Sequence, residues 1–352
     1  MGTDRDHHQP GLSRTARAKH SHTLINKTVP SILRGNARAR RGIEAVELIV
    51  DPPALTPSHE TPKETPPSTT VPSTAQQSPT PKPRSITLTT TSTLHAASTL
   101  TSPRTPKSNP TPPSRLAILN MASPLRPGGG VLTGATSQEE SLCRRTTLYP
   151  SLHEHFYRLP EVGAIYTPDV LVFHSSSSSP DQTVIDDKKD WFFVDVVTAS
   201  MLRFPELEGD DGDDEEAGGR RYAEQKDREM VVRKMTAVMR ILRAKGVGKV
   251  VLGAWGCGAY GNPIGEIARA WKRVLLGGPV HGKQKGKAKA KGREQDAVGS
   301  SGEMWDGLEV VFAINDAKMA EAFARAFGLE LVVVDQPVAL AYGEKVAGDD
   351  DG

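Results

Sequence analysis

Two adjacent carboxylates, Glu139 and Glu140, follow a run of three glycines, Gly128, Gly129 and Gly130, within the stretch Asn120-Met-Ala-Ser-Pro-Leu-Arg-Pro-Gly-Gly-Gly-Val-Leu-Thr-Gly-Ala-Thr-Ser-Gln-Glu-Glu140. Glycine lets a backbone close around a ligand without side chains in the way. Carboxylates beside such a loop repel a phosphate unless they address another part of the same molecule. A ligand with an anionic part and a hydroxylated or hydrolysable part fits, and a sugar nucleotide is the natural candidate. The competing reading is structural. Ser137-Gln138-Glu139-Glu140 also has the spacing of a capping box, in which Glu140 would fold back on the start of its own helix.

A second glycine loop, Gly253-Ala-Trp-Gly-Cys-Gly-Ala-Tyr-Gly-Asn-Pro263, follows the apolar run Lys249 to Leu252 and precedes a helical pattern. Asn262 reads as the helix N-cap and Pro263 as its first residue. Backbone N–H groups at such a junction attract phosphate. Both loops lie at strand-to-helix junctions, where α/β sheets bind ligands, and together they would clasp a diphosphate. Gly256-Cys-Gly-Ala-Tyr-Gly261 literally matches GxGxxG, but no acidic residue ends a second strand at the required distance. That argues against a nicotinamide enzyme. The absence of GxxxxGK[ST] argues against P-loop chemistry.

Two carboxylates beside a diphosphate suit cleavage of a glycosidic bond. One acid protonates the leaving oxygen and then, as a base, activates water against an oxocarbenium-like ribose. A neighbouring carboxylate and the ligand phosphates disfavour a second negative charge, which would raise the pKa of that acid. Adjacent residues on a helix do not face each other, so the pair should divide the work.

The elements that must position these groups alternate. Strands are expected at Leu116–Leu119, Asp169–Phe173, Trp191–Val197, Lys249–Leu252, Leu308–Ile314 and Leu329–Val334. Helices are expected at Ser137–Tyr149, Gln225–Lys245, Pro263–Leu275 and Ala317–Phe327, with Gly246 and Gly248 closing the second. The alternation predicts an α/β sheet with helices on both faces. Residues 14–50 read as a helical N-terminal region, interrupted by Pro30, with a short strand at Glu47–Val50. Residues 1–13 read as a disordered tail, 51–84 as a Pro/Thr/Ser-rich disordered insert and 102–114 as a linker. Residues 85–101 read either as a strand then a helix or as a polar linker. A catalytic unit at 115–340 would carry polar inserts at 175–189, 206–220 and 277–302, and 341–352 is an acidic tail.

The net charge of +2 gives no global argument for nucleic acid. The basic run Lys283–Arg293 and the acidic run Glu206–Glu216 read as solvated loops. Cys143 and Cys257 make neither a disulfide framework nor a metal spacing, so no metal and no cofactor are expected. Both thiols read as small buried groups, Trp191, Trp255 and Trp271 as packing residues, and His153 and His155 as surface residues. With no apolar signal core and no membrane-length stretch, an intracellular protein, cytoplasmic or nuclear, is expected.

Asn120-Met-Ala-Ser, Gly128-Gly-Gly130, the spacer Val131 to Ser137, Gln138-Glu-Glu140 and Ser141-Leu-Cys-Arg144 resemble the microbial-type poly(ADP-ribose) glycohydrolase catalytic domain. Tyr166-Thr-Pro-Asp-Val170, Val194-Asp-Val-Val-Thr-Ala199 and the Gly253–Pro263 loop are similar as well. The likeness spans about residues 115–340, and more weakly 14–50 and 85–101. It implies a macrodomain-like mixed sheet flanked by helices, with a small N-terminal helical extension. Carried over by position, it implies that Glu140 is the catalytic glutamate and that Glu139 and Asn120 hold the ribose at the scissile bond. Gly128 to Gly130 then form the catalytic loop, with Gln138 beside it as a substrate contact. Gly256, Cys257, Gly258, Ala259, Tyr260 and Gly261 form the diphosphate loop. Tyr260 stands where the family usually has phenylalanine, a departure that bears on chain-end selectivity. The implied partner is ADP-ribose or poly(ADP-ribose) on modified proteins, with no DNA or membrane and the oligomeric state open. A non-catalytic ADP-ribose-binding macrodomain module and a hydrolase of mono-ADP-ribose conjugates remain alternatives.

Overall fold

The computed structural model describes residues 12–55, 83, 85–101, 114–174, 187–209, 219–277, 305–328 and 332–333. The tails, the basic run, most of the acidic run and most of the Pro-rich segments lie outside these residues.

Period-two burial sets the central strand. In β3 (Arg115–Met121), Ala117 and Leu119 join one apolar core while Leu116 and Ile118 join the other. That is the pattern of a strand buried on both faces. β3 lies inside an eight-stranded sheet of order β1-β4-β5-β3-β8-β9-β2-β10. Its strands are β1 (Glu47–Val50), β2 (Ser85–Thr89), β4 (Gly163–Val172), β5 (Phe192–Ala199), β8 (Val247–Leu252), β9 (Glu309–Ala313) and β10 (Val332–Val333). β4 runs antiparallel to both its neighbours, and every other adjacent pair is parallel. The expected α/β sheet is therefore present, as a mixed one.

Helices cover both faces. α6 (Gln225–Ala244), α7 (Ile264–Leu276) and α8 (Ala317–Phe327) line one core. α4 (Thr93–Thr101), α5 (Gln138–Arg145) and Ile25 of the N-terminal region line the other. In α7 the buried residues Ile267, Ala268, Trp271, Val274 and Leu275 recur at helical spacing. Each large one contributes about 1.5–3 kcal/mol by leaving water. α6 ends where Gly246 takes φ +69°, a backbone open to glycine.

The chain leaves β3 toward the α5 face, whereas it leaves β5 and β8 toward the α6–α7 face. β3 is hydrogen-bonded to both β5 and β8. The carboxyl end of β3 is thus a topological switch point, with a crevice where neighbouring connections part.

Several boundaries differ from expectation. Residues 47–50 and 85–101 do not stand apart from the catalytic unit: β1 pairs with β4, and β2 pairs with β9. Residues 85–101 form a strand and then a helix, not a linker. α5 stops at Arg145, short of Tyr149, because Thr146 turns to extended backbone and bridges Val172 of β4. The expected insert 206–220 begins and ends in paired backbone, β6 (Leu207–Glu208) against β7 (Arg221–Tyr222), with Tyr222 buried. The N-terminal region forms α1 (Arg14–Thr23), a π turn, α2 (Val29–Gly35) and α3 (Ala37–Glu44). Pro30 sits in the first turn of α2, directly after the π turn Leu24–Thr28, so the helical path is diverted there and not ended. α3 docks on the sheet through Arg38, whose guanidinium meets Asp169 at 2.7 Å and lies 4.0 Å above the Phe193 ring.

Candidate active site

Gln138 fixes the start of α5 against β3. Its Oε1 accepts from the Met121 N–H at 2.9 Å, and its Nε2 donates to the Leu119 carbonyl at 2.7 Å and to Thr93 Oγ1 at 3.2 Å. Both ends of the amide are therefore engaged by the chain itself. Gln138 is thus a clamp that sets where the next two residues point.

Those two residues point into the loop. The Ser123 N–H donates to Glu139 Oε2 at 2.8 Å, and the Gly130 N–H donates to Glu140 Oε1 at 2.7 Å. Ser137, the N-cap of α5, makes no side-chain capping bond. The capping box is not formed, because Glu140 reaches across to the glycine loop instead of back to its own helix. Both carboxylates are buried, yet Glu139 Oε1 and Glu140 Oε2 have no hydrogen-bond partner among the described residues. Asn120, on β3, is in the same state. Its Nδ2 donates to Thr198 Oγ1 at 3.2 Å, and its Oδ1 is buried and unpartnered. Unpaired buried acceptors are costly and rare, so their clustering marks a place for donors from outside the chain.

The triple glycine is explained by the same carboxylates. Gly129 has φ +58°, and a Cβ there would lie 2.6 Å from Glu140 Oε1 and 2.8 Å from Glu139 Oε2. A Cβ at Gly128, φ +64°, would meet the Tyr149 ring at 2.8 Å, and one at Gly130 would meet Ala135 Cβ at 2.8 Å. The loop is held from outside by α1. Arg14 Nε donates to the Thr133 carbonyl at 3.0 Å, and Arg17 Nε donates to the Gly134 carbonyl at 2.9 Å.

Burial, and next to it the charge of Glu140, push the Glu139 carboxyl up to about 8, against the opposing hydrogen bond from the Ser123 amide. The raised pKa expected for the acid thus falls on Glu139. Burial also raises the Cys143 thiol, with the charges of Glu139 and Glu140 adding to it, and Cys143 is fully buried as expected. Tyr157 was not foreseen. Its hydroxyl is buried without a partner among the described residues, and its pKa is raised by burial and by the charge of Glu139.

The second loop follows β8 into the opposite wall of the crevice. Asn262 is its brace, not the N-cap of α7, a position held by Pro263. Asn262 Nδ2 donates to the carbonyls of Leu202 at 2.8 Å and Gly256 at 3.1 Å, and its Oδ1 accepts from Tyr222 Oη at 2.8 Å. Gly256 takes φ +83°, with Asn262 and Met201 where its side chain would be. The N–H groups of Cys257, Gly261 and Asn262 donate within the loop. Those of Gly258, Ala259 and Tyr260 meet no acceptor among the described residues. Three successive free amides make an anion-binding concavity. The Cys257 side chain turns to the core, which leaves its backbone in the loop. Trp255 is buried against Trp271, with ring centroids 6.2 Å apart, so it is a packing residue as expected. Tyr260 reaches over to the first loop. The Ser123 side chain hydrogen-bonds its hydroxyl and lowers its pKa, against a larger upward push from burial.

Residues 54–175 match the family model described as microbial-type PARG, catalytic domain. The match contains Asn120, the triple glycine and Gln138-Glu139-Glu140, and so agrees with the resemblance read from those residues. It starts earlier and ends earlier than the span drawn for that resemblance. Among solved structures, the chain is similar to the poly(ADP-ribose) glycohydrolase of Thermomonospora curvata at 23% identity and a TM-score of 0.56. That alignment covers 89% of this chain and 99% of the other. The same enzyme bound to the inhibitor ADP-HPD aligns at 22% identity with a TM-score of 0.53, over 89% of this chain and 99% of the other. The Deinococcus radiodurans enzyme in complex with ADP-ribose aligns at 24% identity with a TM-score of 0.46, over 69% of this chain and 84% of the other. No curated protein matches the sequence. The macrodomain-like mixed sheet is thus the fold shared with the Thermomonospora curvata enzyme.

Proposed function

We propose that the protein is a poly(ADP-ribose) glycohydrolase, a glycoside hydrolase that releases ADP-ribose by cleaving ribose–ribose bonds with glutamate acid/base catalysis. One observation carries the reading. Glu140 leaves its own helix start uncapped and is held by the Gly130 N–H, with its second oxygen buried and unpartnered beside those of Glu139 and Asn120. A ribose supplies what these atoms lack, vicinal hydroxyl donors. The free amides of Gly258 to Tyr260 supply donors to a diphosphate. The family match and the neighbour bound to ADP-HPD support the same ligand class.

In this reading Asn120 Oδ1 and Glu139 accept from the ribose hydroxyls. Glu139, with its pKa near 8, is neutral at neutral pH and does not repel the ligand phosphates. In its acid form Glu140 passes a proton to the leaving ribose oxygen as the glycosidic bond breaks. It then takes a proton from the water that attacks the anomeric carbon, which restores its starting state. The Gly130 N–H holds it in place through both steps. Glu140→Gln keeps the shape and the Gly130 bond but removes the transferable proton. Release of ADP-ribose from modified acceptor protein should fall by about 10²–10⁴-fold, the usual worth of a positioned acid/base, while calorimetric binding of ADP-ribose persists. Undiminished turnover would overturn the catalytic assignment. Binding without turnover in the unsubstituted protein would instead make it an ADP-ribose-binding module.

A further inference from the structure

A cluster next to the crevice packs against the tip of the second glycine loop and has no part in the roles given to either loop. Beyond β5 the chain runs through Met201 and Leu202, which lie against the second loop, to Arg203 and Phe204. Phe204 is 68% exposed, the most exposed large apolar side chain among the described residues. Its backbone has φ +51° directly before Pro205. The left-handed region is unfavourable for a bulky side chain, and the α region is disfavoured before proline. The conformation is held by the Phe204 N–H donating to the Tyr260 carbonyl at 3.0 Å. The Phe204 and Tyr260 rings meet edge to face, with centroids 6.3 Å apart. The Arg203 guanidinium lies 5.5 Å from each ring centre and forms no ion pair with the described residues. Leu125, from the first loop, is 41% exposed.

A strained, exposed aromatic ring here stands beside a guanidinium with no ion-pair partner among the described residues. It is a platform on which a base can stack while the cation meets a phosphate. Its place identifies the ligand. β5, β3 and β8 are consecutive in the sheet, and the β5 and β8 connections share one wall of the crevice opposite the carboxylates. Tyr260 links this platform to Ser123, whose N–H holds Glu139. The platform therefore adjoins the crevice at the tip of the second loop, where Tyr260 reaches toward the loop that holds the carboxylates.

We infer that Arg203 and Phe204 form a second nucleotide subsite, which binds the adenine and phosphate of the polymer unit on the leaving side of the scissile bond. The inference rests on the glycohydrolase reading. It makes the site a reader of polymer and not only of the unit that is released.

The test compares Phe204→Ala, Phe204→Trp and Arg203→Ala. KM and kcat would be measured on long poly(ADP-ribose) chains, and affinity for free ADP-ribose by calorimetry. Polymer binding would be measured in the Glu140→Gln background, so that it does not depend on cleavage. Phe204→Ala should raise KM and weaken polymer binding by about tenfold, the loss of one base–aromatic stack, with kcat and ADP-ribose affinity unchanged. Phe204→Trp should restore polymer binding, and Arg203→Ala should weaken it with a shallower salt dependence. Unchanged polymer binding in Phe204→Ala would overturn the subsite. So would an equal loss of ADP-ribose affinity, because the ring would then touch the released unit. If the Glu140→Gln protein binds polymer through Phe204 but the unsubstituted protein never cleaves it, the glycohydrolase reading fails and the subsite stands. If no form binds polymer, both fall.

Discussion

The two glycine loops look alike as sequence and use glycine for different reasons. In the first, the space that side chains would take is filled by the protein itself: Tyr149 at Gly128, both carboxylates at Gly129, Ala135 at Gly130. In the second, Gly256 is crowded by Asn262 and Met201, and Gly253 less tightly by Met121 and Ala313, while Gly258 and Gly261 face open space. The first loop is a lid bonded onto its acid groups and pinned from behind by Arg14 and Arg17. The second is braced at its base by Asn262 and leaves free amides at its tip. One loop holds the two carboxylates still, and the other leaves its tip open. A substitution that adds one methyl group should therefore act oppositely in the two.

The largest effect is expected at Gly129→Ala. The new Cβ enters a backbone with positive φ and falls on Glu139 and Glu140 together. The loop must lift, the Gly130 bond to Glu140 must lengthen, and displacement of a catalytic group by about 1 Å costs on the order of 10²-fold in rate. The strain and overpacking should lower stability by about 1–3 kcal/mol. ADP-ribose release and urea unfolding would measure the two. A variant with near-normal turnover would mean that the loop does not hold Glu140 where the reaction needs it.

The next effect separates the two carboxylates. Glu139 has a folded pKa of about 8 against 4.5 for the free group, raised by burial and then by Glu140. Between those values the folded protein keeps a proton that the unfolded chain has lost. The contribution of Glu139 to stability is therefore fully present below about pH 4.5 and is lost as pH rises toward 8. Its slope approaches about 1.4 kcal/mol per pH unit in mid-window. Urea unfolding across the window should show this fall in the unsubstituted protein and a flatter profile in Glu139→Gln, which stays neutral while its one amide oxygen keeps the Ser123 bond. Superimposable profiles would show that Glu139 titrates normally. The crowding of the first loop would then carry no electrostatic consequence.

What the sequence made legible follows from how local each signal is. The apolar runs of β3, β5, β8 and β9 and the bounds of α8 were readable because burial on both faces and helical spacing leave a pattern in neighbouring residues. The place of β2 in the sheet was not, because its partner β9 lies at the far end of the chain. Glu139, Glu140 and Asn120 were readable as a group, and their orphaned oxygens converge. The work of Gln138 was hidden: an amide that grips β3 and one that grips a ligand have the same spacing. Asn262 misled for a related reason, since asparagine before a helix serves a cap or a loop brace equally well, and only the carbonyls of Leu202 and Gly256 decide. Tyr157 left no signal, because what brings its hydroxyl near Glu139 is the path of a loop that carries no repeat or cap. For the same reason no reading of the N-terminal region revealed that Arg14 and Arg17 hold the first glycine loop.

The smallest effect completes the comparison. Gly258 is exposed, lacks positive φ and has no atom within 4 Å of where a Cβ would stand. Gly258→Ala should thus leave stability within about 0.5 kcal/mol of the unsubstituted protein, as for a surface site without strain. Stability alone would make Gly258 look dispensable, and that is why ligand affinity has to be measured beside it. If the tip of the second loop approaches a diphosphate through the free amides of Gly258, Ala259 and Tyr260, a methyl group at its centre stands between donor and anion. ADP-ribose affinity should then fall by about tenfold while the melting temperature does not move. Equal affinities would mean that the open space is merely solvent, and that the first loop alone makes the site.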